Sequence, residues 1–166
     1  TKKTDVIDDI SDSVKHVDKI GDAGKHYETI KTLNQDLIGR CHEKTGIEFI
    51  RKNLDLSDGR HITGVFPKFD AKVEIKLPDK LLKEKAATHL KYLSETLKEQ
   101  ANTPAGRKEL EKIFDSNQMK DILNGIIPEG FTWHHSETEG LMQLVDSEIH
   151  NATNHTGGMS IWGIGY

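Results

Sequence analysis

Trp133-His134-His135, then His150 and His155, then Gly157-Gly158 crowd the last third of the chain. Four of the nine histidines fall within 22 residues, and no Lys or Arg occurs from Phe131 to Tyr166. A neutral imidazole is the commonest protein metal ligand and the usual general base near neutral pH. Four of them interleaved with strand-like and helix-like segments point to a metal-dependent hydrolytic site. Taken singly they point elsewhere: an isolated His134 or His135 is more simply a hydrogen-bonded, half-buried side chain. His16, His26, His42, His61 and His89 are scattered and read as ordinary. His42-Glu43 does not open a zinc-protease motif, because Gly46 stands where the second histidine would be.

The elements that must position these residues follow from pattern. Phe131 to His135 alternates like a short strand, Ser136 to Gly140 is a polar loop, and Leu141 to Val145 is a second strand. Asp146 or Ser147 can cap a helix from about Glu148 to Thr153, stopped by Thr156-Gly157-Gly158. Neighbours on a strand point to opposite faces, so His134 and His135 cannot share one job unless the strand end twists. His150 and His155 are five apart, about 140° round an ideal helix, and do not converge unless the helix ends early. Asn154 lies on the face of His150 and offers an amide oxygen. Trp133 reads as core, and Trp162 and Tyr166 as side chains packing back on the module.

Upstream, Val6, Ile10, Val14, Val17 and Ile20 follow a helical period, and Tyr27, Ile30, Leu33 and Leu37 predict a second short helix. Residues 1–37 thus read as a helical linker or appendage, and residues 38–166 as the functional domain, with its histidine module at 131–158. Ile47–Leu56 and His61–Phe66 are strand-like runs joined through Asp58-Gly59, a hairpin signal because the turn needs positive φ. Phe69 to Leu77 alternates as a third strand. Helices are expected from Lys80 to Gln100, broken by Asn102-Thr103-Pro104, and from Glu109 to Asn124. The expected class is α+β: a small antiparallel sheet and helices around the C-terminal module.

Composition narrows the function. The chain has 166 residues and a formal net charge of −4, which excludes a uniformly basic nucleic-acid binder. Arg60 to Lys108 nevertheless holds 11 basic and 6 acidic residues. A local basic surface of this kind can hold a polyanion, and Lys68, Lys72 and Lys76 are its members nearest the module. The single cysteine, Cys41, excludes an internal disulfide and reads as half-buried. No apolar run approaches a membrane span. The start, Thr-Lys-Lys-Thr, points to a piece of a larger protein.

The joint pattern Thr132-Trp133-His134-His135, Met142-Gln143-Leu144-Val145, Ile149-His150 and His155-Thr156-Gly157-Gly158 resembles the WHH nucleases. These belong to the HNH/endonuclease VII (ββα-metal) superfamily and occur as C-terminal toxin domains of bacterial polymorphic and contact-dependent inhibition toxins. The likeness extends upstream through Gly64-Val65-Phe66-Pro67 and Leu77-Pro78, over roughly residues 38–165. It implies a ββα-metal core with His134, His150 and His155 as ligands and His135 as general base. His155 is favoured by the resemblance, Asn154 by ideal helix geometry. Gln143 aligns with the middle Asn of the HNH pattern, which braces the loop holding the base.

Also implied are one divalent metal ion (Zn, Ni, Co, Mn or Mg), a nucleic acid substrate with DNA favoured, and a cognate immunity protein. Delivery would be as part of a secreted or cell-surface toxin, with action in the target-cell cytoplasm. An RNA substrate for the same site is the nearest alternative. A histidine-bound structural zinc in a non-enzymatic adaptor is the more distant one, since such sites are closed four-ligand sets usually rich in Cys.

Overall fold

The computed structural model describes residues 24–165. The helix expected between Val6 and Ile20, like Tyr166, lies outside the described residues. The fold is α+β, with two three-stranded sheets. Strands β1 (Glu28–Thr29), β2 (Phe49–Asp55) and β3 (His61–Pro67) form the first, in the order β1-β3-β2. Strands β4 (Val73–Lys76), β5 (Phe131–His135) and β6 (Leu141–Asp146) form the second, in the order β4-β6-β5. Helices α1 (Ala86–Ala101), α2 (Pro104–Glu111) and α3 (Ser116–Leu123) lie between β4 and β5 in the chain, and α4 (Ser147–Ala152) follows β6.

The β2–β3 hairpin closes where Asp-Gly predicts it. Gly59 has φ 92° and donates its N–H to the Leu56 carbonyl, while the Leu56 N–H returns to Arg60 at 2.9 Å. The short helix expected from Tyr27 to Leu37 is replaced by β1 and a 3₁₀ turn, Gln35–Leu37. The central strand β3 has a second edge whose backbone groups need partners. β1 runs parallel along it, Ile30 N–H reaches the Thr63 carbonyl, and the Thr32 hydroxyl accepts from Val65 N–H. Residues 28–37 therefore pack as part of the folded unit. Cys41 is exposed rather than half-buried, and bridges to Glu48 at a strand-like pair outside the named strands.

Two helix expectations shift for local reasons. The run from Lys80 splits into a 3₁₀ turn, Asp79–Leu81, and α1, because Lys85 is extended at ψ 153°. The Leu81 carbonyl accepts from the Glu84 N–H at 3.0 Å and from a His89 ring nitrogen at 2.6 Å. The run from Glu109 to Asn124 splits because Asp115 forms a capping box with Gln118, each side chain satisfying the other's backbone N–H. Thr103 caps α2 by accepting from the Gly106 N–H, with Pro104 at its first turn.

The core lies where one face of the second sheet meets these helices. Trp133, Met142 and Leu144 pack with Leu93, Leu97, Leu110 and Ile122, and Leu54, Ile62 and Phe66 join from the hairpin. Burial of side chains of this size is the main favourable term holding the two sheets and helices together, about 1.5–3 kcal/mol for each large apolar group. Among the described residues no helix is long and apolar enough to cross a membrane.

Candidate metal centre

The site is built on the end of β5. Register places Glu74, Gln143 and His134 in one row across the second sheet, and Ile75, Met142 and His135 in the next. Side chains alternate along a strand, so the two rows face opposite ways. His134 emerges beneath α4, whereas His135 turns toward the core and α1.

On the first face, Asp146 caps α4 by accepting from Ile149 N–H. The helix lasts six residues and stops at Ala152; Thr153 is already extended at φ −108° and ψ 95°. The Thr153 side chain fixes this exit, with its hydroxyl bonded to the Ile149 carbonyl and to Thr45. The ideal-helix angle therefore ceases to apply before residue 155. The chain turns back, and one ring nitrogen each from His134, His150 and His155 lies within 4.8 Å of the others. Asn154 is exposed instead, and its carbonyl accepts from the Asn34 amide at 2.7 Å.

The geometry of the trio suits an ion. His134 Nδ1 and His150 Nε2 are 3.2 Å apart, close to the roughly 3.3 Å edge of a tetrahedron with metal–nitrogen bonds of about 2.0 Å. His155 Nδ1 donates to the Thr153 carbonyl at 2.6 Å, which leaves Nε2 with its lone pair and sets the ring's orientation. The ring's other nitrogen, His134 Nε2, is one of two buried side-chain polar atoms among the described residues without a hydrogen-bond partner, so no contact on that side fixes the ring's tautomer. Phe69 lies against all three rings, with centroid distances of 4.8, 5.3 and 5.1 Å. Burial first, and then the neighbouring imidazoles, pulls His134 down to about 2 and His150 to about 4 from an ordinary 6.5. Burial lowers His155 as well. All three are therefore neutral at pH 7, as ligands must be. Three nitrogen donors, rather than a closed set of four, match the donor count of catalytic zinc-type sites.

On the opposite face, His135 meets a different set of neighbours. Its Nε2 lies 3.0 Å from His89 Nδ1, and the Trp162 ring packs beside both histidines. Burial, and then His89 and His150, lowers His135 to about 4, so it too is neutral at pH 7. Sequence reasoning passed over His89, which is fully buried. A signal was present: His89, Leu93, Leu97 and Ala101 recur every four residues, which puts a polar ring at the head of the buried stripe of α1.

The loop from Ser136 to Gly140 joins the two faces. Trp162 Nε1–H donates to the Ser136 carbonyl at 2.8 Å. A Cβ on Gly158 would collide with that carbonyl and the same indole, so a glycine is required there. Glu137 is buried, pairs with Lys52 at 3.0 Å and accepts from the Ser136 hydroxyl. Lys52 also donates to the Thr138 hydroxyl, and Glu139 accepts from Ser57. Gln143, expected to brace this loop, donates across the sheet to Glu74 at 2.8 Å. Lys68, Lys72 and Lys76 are all exposed. Lys72 pairs with Asp70, Lys68 adjoins Phe69, and Lys76 shares the face of Glu74 and His134. Neither Lys52, Glu137 nor Phe69 was singled out by residue type and spacing, because their importance comes only from contacts across the fold.

No curated protein and no solved structure matches this chain. A family model described as the DNase/tRNase domain of colicin-like bacteriocin matches residues 58–157. That span begins in the β2–β3 turn and takes in both sheets' later strands, the four helices of the described residues and every histidine of the trio. It also includes His89 and His135. By sequence family, this chain is a member of the nuclease toxin domains of the colicin-like bacteriocins.

Proposed function

We propose that this nuclease toxin domain is a metal-dependent endonuclease of the HNH/WHH type, with DNA as its substrate. His134, His150 and His155 would hold one divalent ion, drawn from Zn, Ni, Co, Mn or Mg, and His135 would be the general base. The observation that supports this best is the convergence of three neutral imidazoles within 4.8 Å, on the residue adjacent to a fourth. When bound, such an ion neutralises charge on phosphate and leaving oxygen during phosphodiester hydrolysis.

The protein's own residues do the rest. Thr153 ends α4 so that His155 can turn back, and its carbonyl orients that ring. Phe69 walls one side of the trio and keeps it partly desolvated. His135, neutral at working pH, accepts the proton of the attacking water. Lys68, Lys72 and Lys76 supply phosphate affinity that the Lys- and Arg-free module lacks. The domain itself would start no later than Glu28, since residues 28–37 clasp the ligand segment. Leu33 N–H donates to the Thr156 hydroxyl, and Asn34 to the Asn154 carbonyl.

A cognate immunity protein protects the producer, and the domain is delivered by a larger secreted or cell-surface toxin to act in the target-cell cytoplasm. A ribonuclease reading stands second, because the family description covers both DNase and tRNase domains. The test is digestion of plasmid DNA and of total RNA by the purified domain, with chelator, with added metal, and with the immunity protein. Cleavage of DNA that stops with chelator, returns with metal and is blocked by the partner is expected. Chelator-resistant cleavage would overturn the metal assignment, and cleavage confined to RNA would select the second reading.

A further inference from the structure

We propose that His89 is a positioning residue that fixes which ring nitrogen of His135 carries the proton. Its catalytic half rests on the reading of His135 as base; its structural half stands without that reading. The oxygen of Leu81 can only accept, so the 2.6 Å contact with His89 Nε2 requires a proton on that nitrogen. A neutral imidazole has one N–H, and Nδ1 of His89 is therefore an acceptor. His135 Nε2 sits 3.0 Å from it and must be the donor. Direction then propagates along the chain: His135 Nε2–H to His89 Nδ1, and His89 Nε2–H to the Leu81 carbonyl. The lone pair of His135 is left on Nδ1.

The surroundings hold this arrangement rigid. His89 is wholly out of solvent, on a helix whose next three turns are anchored by Leu93, Leu97 and Ala101. The Trp162 ring packs against both imidazoles, and its own N–H is tied to the Ser136 carbonyl. The 3₁₀ turn at Asp79–Leu81, which displaces the start of α1, presents the Leu81 oxygen to His89. A proton arriving at Nδ1 of His135 would leave the Nε2–H bond to His89 in place. The imidazolium would thus form without any ring rotation, which is how a fixed third group assists a histidine base in other hydrolases.

The experiment is ¹⁵N NMR of the histidine rings in metal-free protein, at a pH where His135 is neutral, for wild type, His89→Gln and His89→Met. Wild type should show a proton-bearing Nε2 and a bare Nδ1 at His135. Gln can accept from His135 and donate to Leu81, so it should keep that pattern, whereas Met should give mixed tautomers. In metal-loaded protein, His89→Met should lower kcat by between ~10-fold and ~10⁴-fold, with KM nearly unchanged. His89→Gln should restore most of the loss. Unchanged metal affinity at the trio reports that each variant is folded.

A wild-type spectrum with the proton on Nδ1 would overturn the proposal, as would a Met variant that keeps the wild-type tautomer. Equal kcat in wild type and a tautomer-scrambled Met variant would remove its catalytic half. If His135→Ala cleaves normally, the base assignment fails, while the ring spectra still decide the tautomer. Should His89→Met fail to fold, the wild-type spectrum and the Gln variant decide it.

Discussion

The two faces of β5 hold the same residue type at adjacent positions and use it in opposite ways. Under α4, one ring nitrogen each from His134, His150 and His155 lies within 4.8 Å of the others, a donor set open to an ion. Against α1, His135 points at a single acceptor that is itself tied to a backbone carbonyl. The first arrangement gathers three nitrogens and suits a cation; the second fixes one proton and suits proton transfer. Strand alternation gives the two rings different partners, although His135 stays close enough to His150 for the two to oppose each other's charge. What each histidine becomes is then decided by elements distant in sequence, α4 for one and α1 for the other.

The largest expected effect would separate the faces outright. His134→Ala should weaken metal binding by more than the roughly 10–100-fold that losing an outer-shell partner costs, and activity should fall with it. His135→Ala should leave metal affinity nearly intact and slow cleavage by ~10²–10⁴-fold. Metal titration and cleavage rate, measured on both variants at one pH, check this. The opposite result, with metal lost in His135→Ala and kept in His134→Ala, would reverse the two faces.

Acid provides a second comparison, in metal-free protein. Burial holds His135 and His150 down to about 4 and His134 to about 2, below an ordinary 6.5. Below 6.5 the unfolded chain therefore binds protons that the folded chain refuses, and stability must fall as pH drops. Each such histidine contributes a slope of up to about 1.4 kcal/mol per pH unit. The contribution of His135 should level off near pH 4, while that of His134 continues lower. Denaturant unfolding at stepped pH should show His135→Ala flattening the curve between pH 6.5 and pH 4, and His134→Ala flattening it over that range and on below pH 4. Stability that stays level from pH 7 to pH 4 would contradict the burial of these rings.

The smallest effect concerns charge on the His134 side. Replacing Lys68, Lys72 and Lys76 together by Gln should weaken substrate binding. It should also reduce the slope of log affinity against log salt, by up to about 0.9 for each phosphate no longer neutralised. An unchanged slope would move the phosphate-binding surface elsewhere on the molecule.

Much of this arrangement is readable from residue order, and the rest fails for definable reasons. Strand β5, its loop, β6 and the Asp146 cap follow from local alternation and capping chemistry, so their boundaries match within a residue or so. The hairpin at Asp58-Gly59 is equally local. The early end of α4 is not, because the extended Thr153 depends on its hydroxyl meeting Thr45, over a hundred residues away. His89 reads as one polar residue on a helix until α1 is laid against β5. The strand β1 replaces an expected helix because β3 had an unpaired edge, a demand that no local pattern announces. Gln143 reaches for Glu74 because sheet register put that carboxylate directly opposite.

The early stop of α4 has a mechanical consequence. Cys41 is the one cysteine, so the chain has no internal disulfide. The trio draws its nitrogens from the end of a strand, from a helix and from the segment beyond it. An ion seated among them would act as a reversible rivet between these three pieces. A rivet of this kind adds stability by mass action, about 2.7 kcal/mol when free metal stands at a hundred times its Kd. Had α4 run two turns further, His155 would have faced away from His150, and the same chain would have had nothing to fasten.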